Sequence, residues 1–376
     1  MSWTVHRRGG KLRVIVTKDL PGKRWLDVLA AADCEVHVST SREVLSTKEI
    51  VEAIGGRCDG AIGQLTETWG AELFEALRRA GGRAYSNYAV GYNNVAVEEA
   101  TRRGIAVGNT PGVLTETTAE MAVALLFAAA RRVSEAERFL RRGEFRGWLP
   151  DLFLGKRLWG GVLGIIGLGR IGATFARMVA PGHAMDVVYH DVRANEELED
   201  QFRRLAALQG EAGERPISCR RAASVEEVLE QADVVSLHVL LDPSTKHLID
   251  AARLKVMKPD AILVNTSRGP VIDEAALVEH LKQNPEFRAG LDVFEREPEL
   301  APGLSELPNA VIVPHIASAT RWTREGMATL AAANVAGVLK GYPVARQLAV
   351  EEFLDGPIPR KAPSIVNAGV AGLASA

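Results

Sequence analysis

Val162-Leu163-Gly164-Ile165-Ile166-Gly167-Leu168-Gly169-Arg170-Ile171-Gly172 sets three glycines in a fixed pattern directly behind a short apolar run. The run Val162 to Ile166 predicts a buried strand, and Ala173 to Val179 a helix ending near Gly182. In that setting Gly167 permits a tight turn, Gly169 lets a pyrophosphate approach the backbone, and Gly172 lets helix and strand pack closely. The helix N-terminus then offers its N–H groups and positive dipole end to the phosphates, and Arg170 and Ile171 of the same turn are expected to contact the cofactor. Asp191 lies nineteen residues beyond Gly172, at the end of the next apolar run, Asp186 to His190. Its carboxylate suits the adenosine ribose hydroxyls of NAD and repels a 2′-phosphate, so NADH is the expected cofactor and NADPH the weaker one. Arg193 nearby pulls the other way.

Working outward, short apolar runs recur at Val162 to Gly167, Asp186 to Asp191, Val234 to Val239, Ala261 to Ser267, Ala289 to Phe294 and Ala310 to Ile316. Six strands with helices between them predict a complete dinucleotide-binding fold. The charged stretch Arg193 to Arg221 reads as a solvated surface helix and loop. Upstream, Leu12 to Thr17, Glu35 to Ser39, Gly60 to Gly63, Arg83 to Tyr88 and Ile105 to Asn109 alternate with helical patterns, which predicts a second parallel sheet. One long amphipathic helix is expected from about Thr117 to Arg142, with Thr117 and Glu120 as its capping box and a bridging role between domains. A last helix, about Thr320 to Lys340, is expected to return to the first domain. The expected fold is therefore α/β, with two doubly wound parallel-sheet domains. A Rossmann NAD-binding domain takes residues 115–317, and a flavodoxin-like substrate-binding domain takes 1–114, completed by 318–376.

Bulk properties agree with such an enzyme and exclude other classes. The 376 residues exceed one comfortable core and suit two domains. A net charge of -2, from 45 basic and 47 acidic residues, gives no field for nucleic acid or an anionic membrane. Cys34, Cys58 and Cys219 form no CxxC pair, so neither a disulfide framework nor a metal site is expected. No apolar run approaches the ~18 residues of a membrane span, and no secretory signal opens the chain, so an intracellular protein is expected. The basic start (Arg7, Arg8, Lys11, Arg13, Lys18) resembles a transit peptide, but the strand at Leu12 leaves about eleven residues for one, which argues against a cleaved presequence.

Three ionisable residues each follow a predicted strand: Arg268, Glu297 and His315. Strand ends line the ligand crevice of a doubly wound sheet, so the three can converge. Reduction of a 2-keto acid needs such a set: a cation to bind and polarise the substrate, an acid to protonate the alkoxide, and a carboxylate beside that acid. Arg268 suits the clamp, His315 the proton donor and Glu297 its anionic neighbour. Taken singly, each equally serves as a helix-capping cation, a surface acid or a strand-end histidine.

The wording around them is more specific. Asn265-Thr266-Ser267-Arg268-Gly269-Pro270-Val271-Ile272-Asp273, Gly290-Leu291-Asp292-Val293-Phe294-Glu295-Arg296-Glu297-Pro298 and Pro314-His315-Ile316-Ala317-Ser318 resemble the signatures of the D-2-hydroxyacid dehydrogenase family. That resemblance implies Arg268, Glu297 and His315 as catalytic residues, Asp292 as the holder of the nicotinamide carboxamide and Ser318 beside the substrate. It also implies cofactor contacts at Thr118, His238, Thr245, Thr266 and Ser318. A departure follows His238: many relatives carry proline there, and this chain has Val239-Leu240-Leu241.

Asn87-Tyr88-Ala89-Val90-Gly91-Tyr92-Asn93-Asn94-Val95 resembles the family's substrate loop, which implies that the amides of Val90 and Gly91 hold the carboxylate opposite Arg268. A plain strand-helix turn is the alternative. Leu65, in Gln64-Leu65-Thr66, is expected to limit substrate size, and closure of the two domains to exclude water. Within the family the chain resembles the plant-type hydroxypyruvate reductase branch over nearly its whole length. That implies NADH-dependent reduction of hydroxypyruvate to D-glycerate, weaker glyoxylate reduction, a place in photorespiration and a homodimer. Gly147-Trp148-Leu149-Pro150 resembles the dimer arm, with Trp148 reaching the partner's site or simply packing in the interface. The resemblance suggests a peroxisomal address, but peroxisomal relatives end in a Ser-Lys-Leu type signal and this sequence ends Ala374-Ser375-Ala376, which argues against import and leaves mitochondrion or cytoplasm as alternatives. Rival readings are a D-lactate, phosphoglycerate or formate dehydrogenase, and an NADH-responsive corepressor-like binding module.

Overall fold

The computed structural model describes residues 3–371; Ala374-Ser375-Ala376, on which the import expectation rests, lie outside the described residues. The chain divides into two compact units. One is built from the chain up to Leu114 and the segment from Ala319 onward, the other from Thr115–Ser318.

The first unit holds β1 (Trp3–His6), β2 (Leu12–Val16), β3 (Cys34–Ser39), β4 (Gly60–Gly63), β5 (Ala84–Asn87) and β6 (Ala106–Gly108). Their order is β1-β3-β2-β4-β5-β6, parallel except for β1. The Val-Ile-Ala character of the central strands fits a sheet covered on both faces. One core forms around Ile15, Ile50, Trp69, Phe74 and Tyr85. The helix Arg321–Lys340 is buried along almost all of its length and packs on β5 and on the helix Arg24–Ala31. Thr320 caps its start by accepting from the Thr323 amide, and Gly341 ends it at φ +69°. The following tail has no periodicity, yet Asn334 anchors it by accepting from the Ser364 amide at 2.8 Å.

The second unit holds β7 (Val162–Ile166), β8 (Asp186–His190), β9 (Cys219–Arg221), β10 (Val234–Leu237), β11 (Ile262–Asn265), β12 (Arg288–Leu291) and β13 (Ala310–Ile312). The order β9-β8-β7-β10-β11-β12-β13 is fully parallel and reverses direction beside β7, the position at which such sheets bind ligands. Apolar clusters cover its two faces, one around Phe175 and Leu126, the other around Phe287 and Leu263. Among the described residues, no helix is long and apolar enough to cross a membrane.

Three expectations need correction. The sheet of the second unit has seven strands rather than six, because Cys219–Arg221 leaves the surface segment and pairs with β8. The sheet of the first unit has six strands rather than five, because Trp3–His6 pairs antiparallel with β3. The long helix is two, Thr115–Ala130 and Val133–Arg141, broken where Arg132 turns left-handed at φ +53°. A returning segment fixes that break: the Lys156 amide donates to the Ala130 carbonyl at 2.9 Å. Gly155 lies so close that a Cβ there would sit 2.3 Å from the same oxygen. Arg132 is held in turn by Glu135, at 2.6 and 2.9 Å. The first of these helices starts at Thr115, so Thr117 and Glu120 lie within it rather than at the cap expected of them.

Candidate active site

Three loops at the strand ends of the second unit carry the residues of the candidate site. After β11, the buried Asn265 side chain donates to the Arg268 carbonyl at 3.0 Å and accepts from the Ser267 amide and hydroxyl at 3.0 and 2.7 Å. Gly269 then brings this loop against the next one: a Cβ there would lie 1.9 Å from the Phe294 carbonyl group. No other residue fits that approach.

The loop after β12 carries Glu297 and is fixed at both ends by one buried carboxylate. Glu274 accepts from the Glu295 amide at 2.6 Å and from the Ala301 amide at 2.9 Å. Glu295 in turn meets His247 Nε2 at 2.8 Å. Glu297 Oε1 accepts from the Phe294 amide at 3.1 Å, and Oε2 lies 2.8 Å from His315 Nδ1. With Nδ1 donating to the carboxylate, Nε2 is the nitrogen left to exchange a proton with a ligand. Burial pushes the Glu297 carboxyl upward, but the His315 hydrogen bond and charge, the Phe294 amide and the Arg268 charge more than offset it and hold it below the usual carboxylate range. Burial weakens the proton affinity of the Arg268 guanidinium, opposed by the Glu297 charge.

His315 itself sits at φ +49°, a conformation a side chain rarely adopts. Asp292 holds it there. The fully buried carboxylate accepts from the Ile316 amide at 2.6 Å and the Ala317 amide at 2.9 Å, while the Asp292 carbonyl accepts from the His315 amide at 2.9 Å. Burial nevertheless keeps the Asp292 carboxyl above its ordinary range. Ser318 follows, half-buried, at the end of this loop.

Around the glycine turn, Gly167 adopts φ +92°, with its missing Cβ 2.8 Å from the His238 backbone; a Cβ at Gly172 would fall 2.2 Å from the Gly167 oxygen. Gly169 opens onto empty space and precedes the helix Arg170–Val179, whose start carries no side-chain cap among the described residues. Asp191 Oδ2 accepts from the Leu168 amide at 2.7 Å and Oδ1 from the Arg193 amide at 3.1 Å, placing the acid on the turn. Arg221, which sequence reading missed, spans the Asp191 and Val192 carbonyls at 2.7 and 3.2 Å; its position becomes legible only once β9 is recognised beside β8. His238 contacts the Ser236 hydroxyl at 2.9 Å, and burial lowers its imidazole to about 3, keeping it neutral. Among the described residues the Thr266 hydroxyl is buried without a partner, and Thr118 is buried in the helix Thr115–Ala130. Thr245 caps a turn, accepting from the Asp242 amide at 2.9 Å. Trp148 lies apart on the surface, 81% exposed, near the exposed Phe145, Leu149 and Leu154.

In the first unit, Asn87 and Asn109 side chains donate to the carbonyls of Gly91 and Val90, at 3.0 and 2.9 Å, and Leu65 is half-buried on the loop after β4.

Residues 123–317 match the family model described as D-isomer specific 2-hydroxyacid dehydrogenase, NAD binding domain. The chain belongs to this dehydrogenase family. Across 98% of its length the dehydrogenase is 56% identical to a glycerate dehydrogenase of Cucumis sativus, covering 97% of that protein. It is 54% identical to a peroxisomal glycerate dehydrogenase of Arabidopsis thaliana, over 99% of this chain and 98% of the other. Among solved structures, a protein from Thermus thermophilus superposes with a TM-score of 0.78 at 40% identity, covering 94% of this chain and all (100%) of that one. The open Gly169, the uncapped helix start and the orphaned Thr266 hydroxyl fit a dinucleotide at the turn of this dehydrogenase.

Proposed function

We propose that this dehydrogenase reduces hydroxypyruvate to D-glycerate with NADH, and reduces glyoxylate more weakly because that acid lacks the hydroxymethyl group. The observation that carries the reading is the 2.8 Å contact of His315 Nδ1 with Glu297, whose carboxyl also feels the charge of Arg268. When bound, the nicotinamide supplies hydride to C2 of the keto acid. His315 gives the new alkoxide its proton from Nε2, while Glu297 orients the ring and stabilises its charge. Arg268 grips the substrate carboxylate with its planar fork and polarises the neighbouring carbonyl. Asp292 keeps the His315 loop in place and also serves the carboxamide.

Gly167, Gly169, Arg170, Ile171 and Gly172 would hold the pyrophosphate, and Asp191 the ribose, favouring NADH. Arg193 and Arg221 supply the cations through which NADPH is used more weakly. To the first unit we assign substrate contacts at Leu65, Val90 and Gly91, and to the exposed arm around Trp148 the homodimer contact. The names of the two plant relatives support a three-carbon substrate.

Steady-state rates with NADH and NADPH against hydroxypyruvate, glyoxylate, pyruvate and 2-oxoglutarate test the proposal. Hydroxypyruvate with NADH should give the highest kcat/KM. No turnover of any of the four acids, or near wild-type turnover by His315→Ala, would overturn it.

A further inference from the structure

We propose that Asn94, acting with Asn87 and Glu67, is a positioning residue that sets the spacing of the Leu65 loop and the Val90–Gly91 loop. This inference rests on the reading of those two loops as substrate-binding.

The argument begins with Gln64, the residue before Leu65, which is held at both backbone groups. Its amide donates to Glu67 Oε2 at 3.0 Å, and its carbonyl accepts from Asn94 Nδ2 at 3.1 Å. The same Nδ2 donates to the Glu67 carbonyl at 2.9 Å. Asn94 Oδ1 accepts from Asn87 Nδ2 at 3.0 Å, and Asn87 Nδ2 also donates to the Gly91 carbonyl at 3.0 Å. A continuous path of hydrogen bonds thus runs from the residue beside Leu65 to the backbone of Gly91. Its far ends are fixed as well: Tyr85 donates to Asn87 Oδ1 at 3.0 Å, and the Trp69 indole to Glu67 Oε2 at 3.1 Å.

Asn87 and Tyr85 are buried, and Glu67 is 2% exposed. Asn94 itself is half-buried, so the network is anchored most firmly at its Asn87, Tyr85 and Glu67 end, where a lost partner is costly. Packing alone would need none of these polar groups, since apolar residues of similar volume fill a core at less desolvation cost. The amides serve where two irregular loops must keep a fixed separation, and a fixed separation is what selects among small acids of different length.

The test uses the full chain with Asn94→Asp, which keeps the shape and removes the donors, and Asn94→Ser, which leaves room for water. Expected is a rise in hydroxypyruvate KM of about tenfold or more, with kcat and NADH KM changed by less than roughly threefold and the thermal midpoint within a few degrees. A purely structural residue would move both KM values together with stability. If Asn94→Asp does not fold, Asn94→Ser decides. Leu65→Ala is the independent control on the underlying reading: it should admit bulkier 2-keto acids. No effect of Leu65→Ala on selectivity would sink the loop assignment itself. A selectivity change in Leu65→Ala with hydroxypyruvate KM unchanged in the folded Asn94 variant, or moving in parallel with NADH KM, would sink only the positioning role.

Discussion

Replacing Asp292 by asparagine tests the origin of the His315 geometry. In the wild type both carboxylate oxygens are used, one by the Ile316 amide at 2.6 Å and one by the Ala317 amide at 2.9 Å. Asparagine keeps one acceptor and turns its NH2 group against the other amide. Losing a charge-assisted bond costs about 1.5–3 kcal/mol, and leaving a buried amide unsatisfied roughly 1–3 more. The neutral side chain recovers part of this, because burial already disfavours the Asp292 carboxylate. A net loss of about 2–3 kcal/mol should lower the thermal midpoint by roughly 5–10 °C for a unit of this size. With the clamp weakened, the φ +49° residue relaxes and its ring leaves Glu297, so kcat at saturating NADH should fall on the order of 10–100-fold. Circular-dichroism melting, steady-state kcat and NADH fluorescence titration read the three quantities. A variant with an unchanged midpoint and unchanged kcat, whose NADH affinity alone has dropped, would refute the clamp and leave Asp292 as a carboxamide contact only.

Further outcomes follow from neighbouring groups. Because the Glu297 carboxyl is depressed in the fold, its stabilising contribution is complete above the unfolded value of about 4.3 and is lost as pH falls through the lower folded value. Acid unfolding curves should therefore be shallower in that window for Glu297→Gln, whose kcat should also fall at neutral pH; identical acid limbs would contradict the pairing. Gly269→Ala forces a Cβ to 1.9 Å from the Phe294 carbonyl group and should abolish turnover or folding, which soluble yield and kcat will report. Asp191→Ala should reduce the NADH-to-NADPH ratio of kcat/KM, since it removes the acid while Arg193 and Arg221 remain; an unchanged ratio would disprove the ribose contact.

The glycine turn, Asp191 and the three loops of the site were legible because each depends on residue types at fixed short spacing. Strand runs of Val, Ile and Leu were equally plain. β9 was not, since Cys-Arg-Arg at a sheet edge shows no apolar alternation and is recognisable only by its partner. The helix break at Arg132 escaped notice because no glycine or proline marks it; a segment twenty-odd residues later supplies the contact that ends the helix. Glu274, Asn265 and Asn94 stayed hidden for a related reason. Their work is done through hydrogen bonds to other loops, and periodicity carries no record of which backbone amide a carboxylate will meet.

The join between Ala130 and Lys156 has an evolutionary corollary. The segment from Arg131 to Gly155 leaves and rejoins the unit where the Lys156 amide meets the Ala130 carbonyl, and Glu135 near its start also pairs with Arg288 of β12 at 3.8 Å. Beyond Glu135 its tip is free to change length at little entropic cost, because the stem is closed at its base whatever the tip carries.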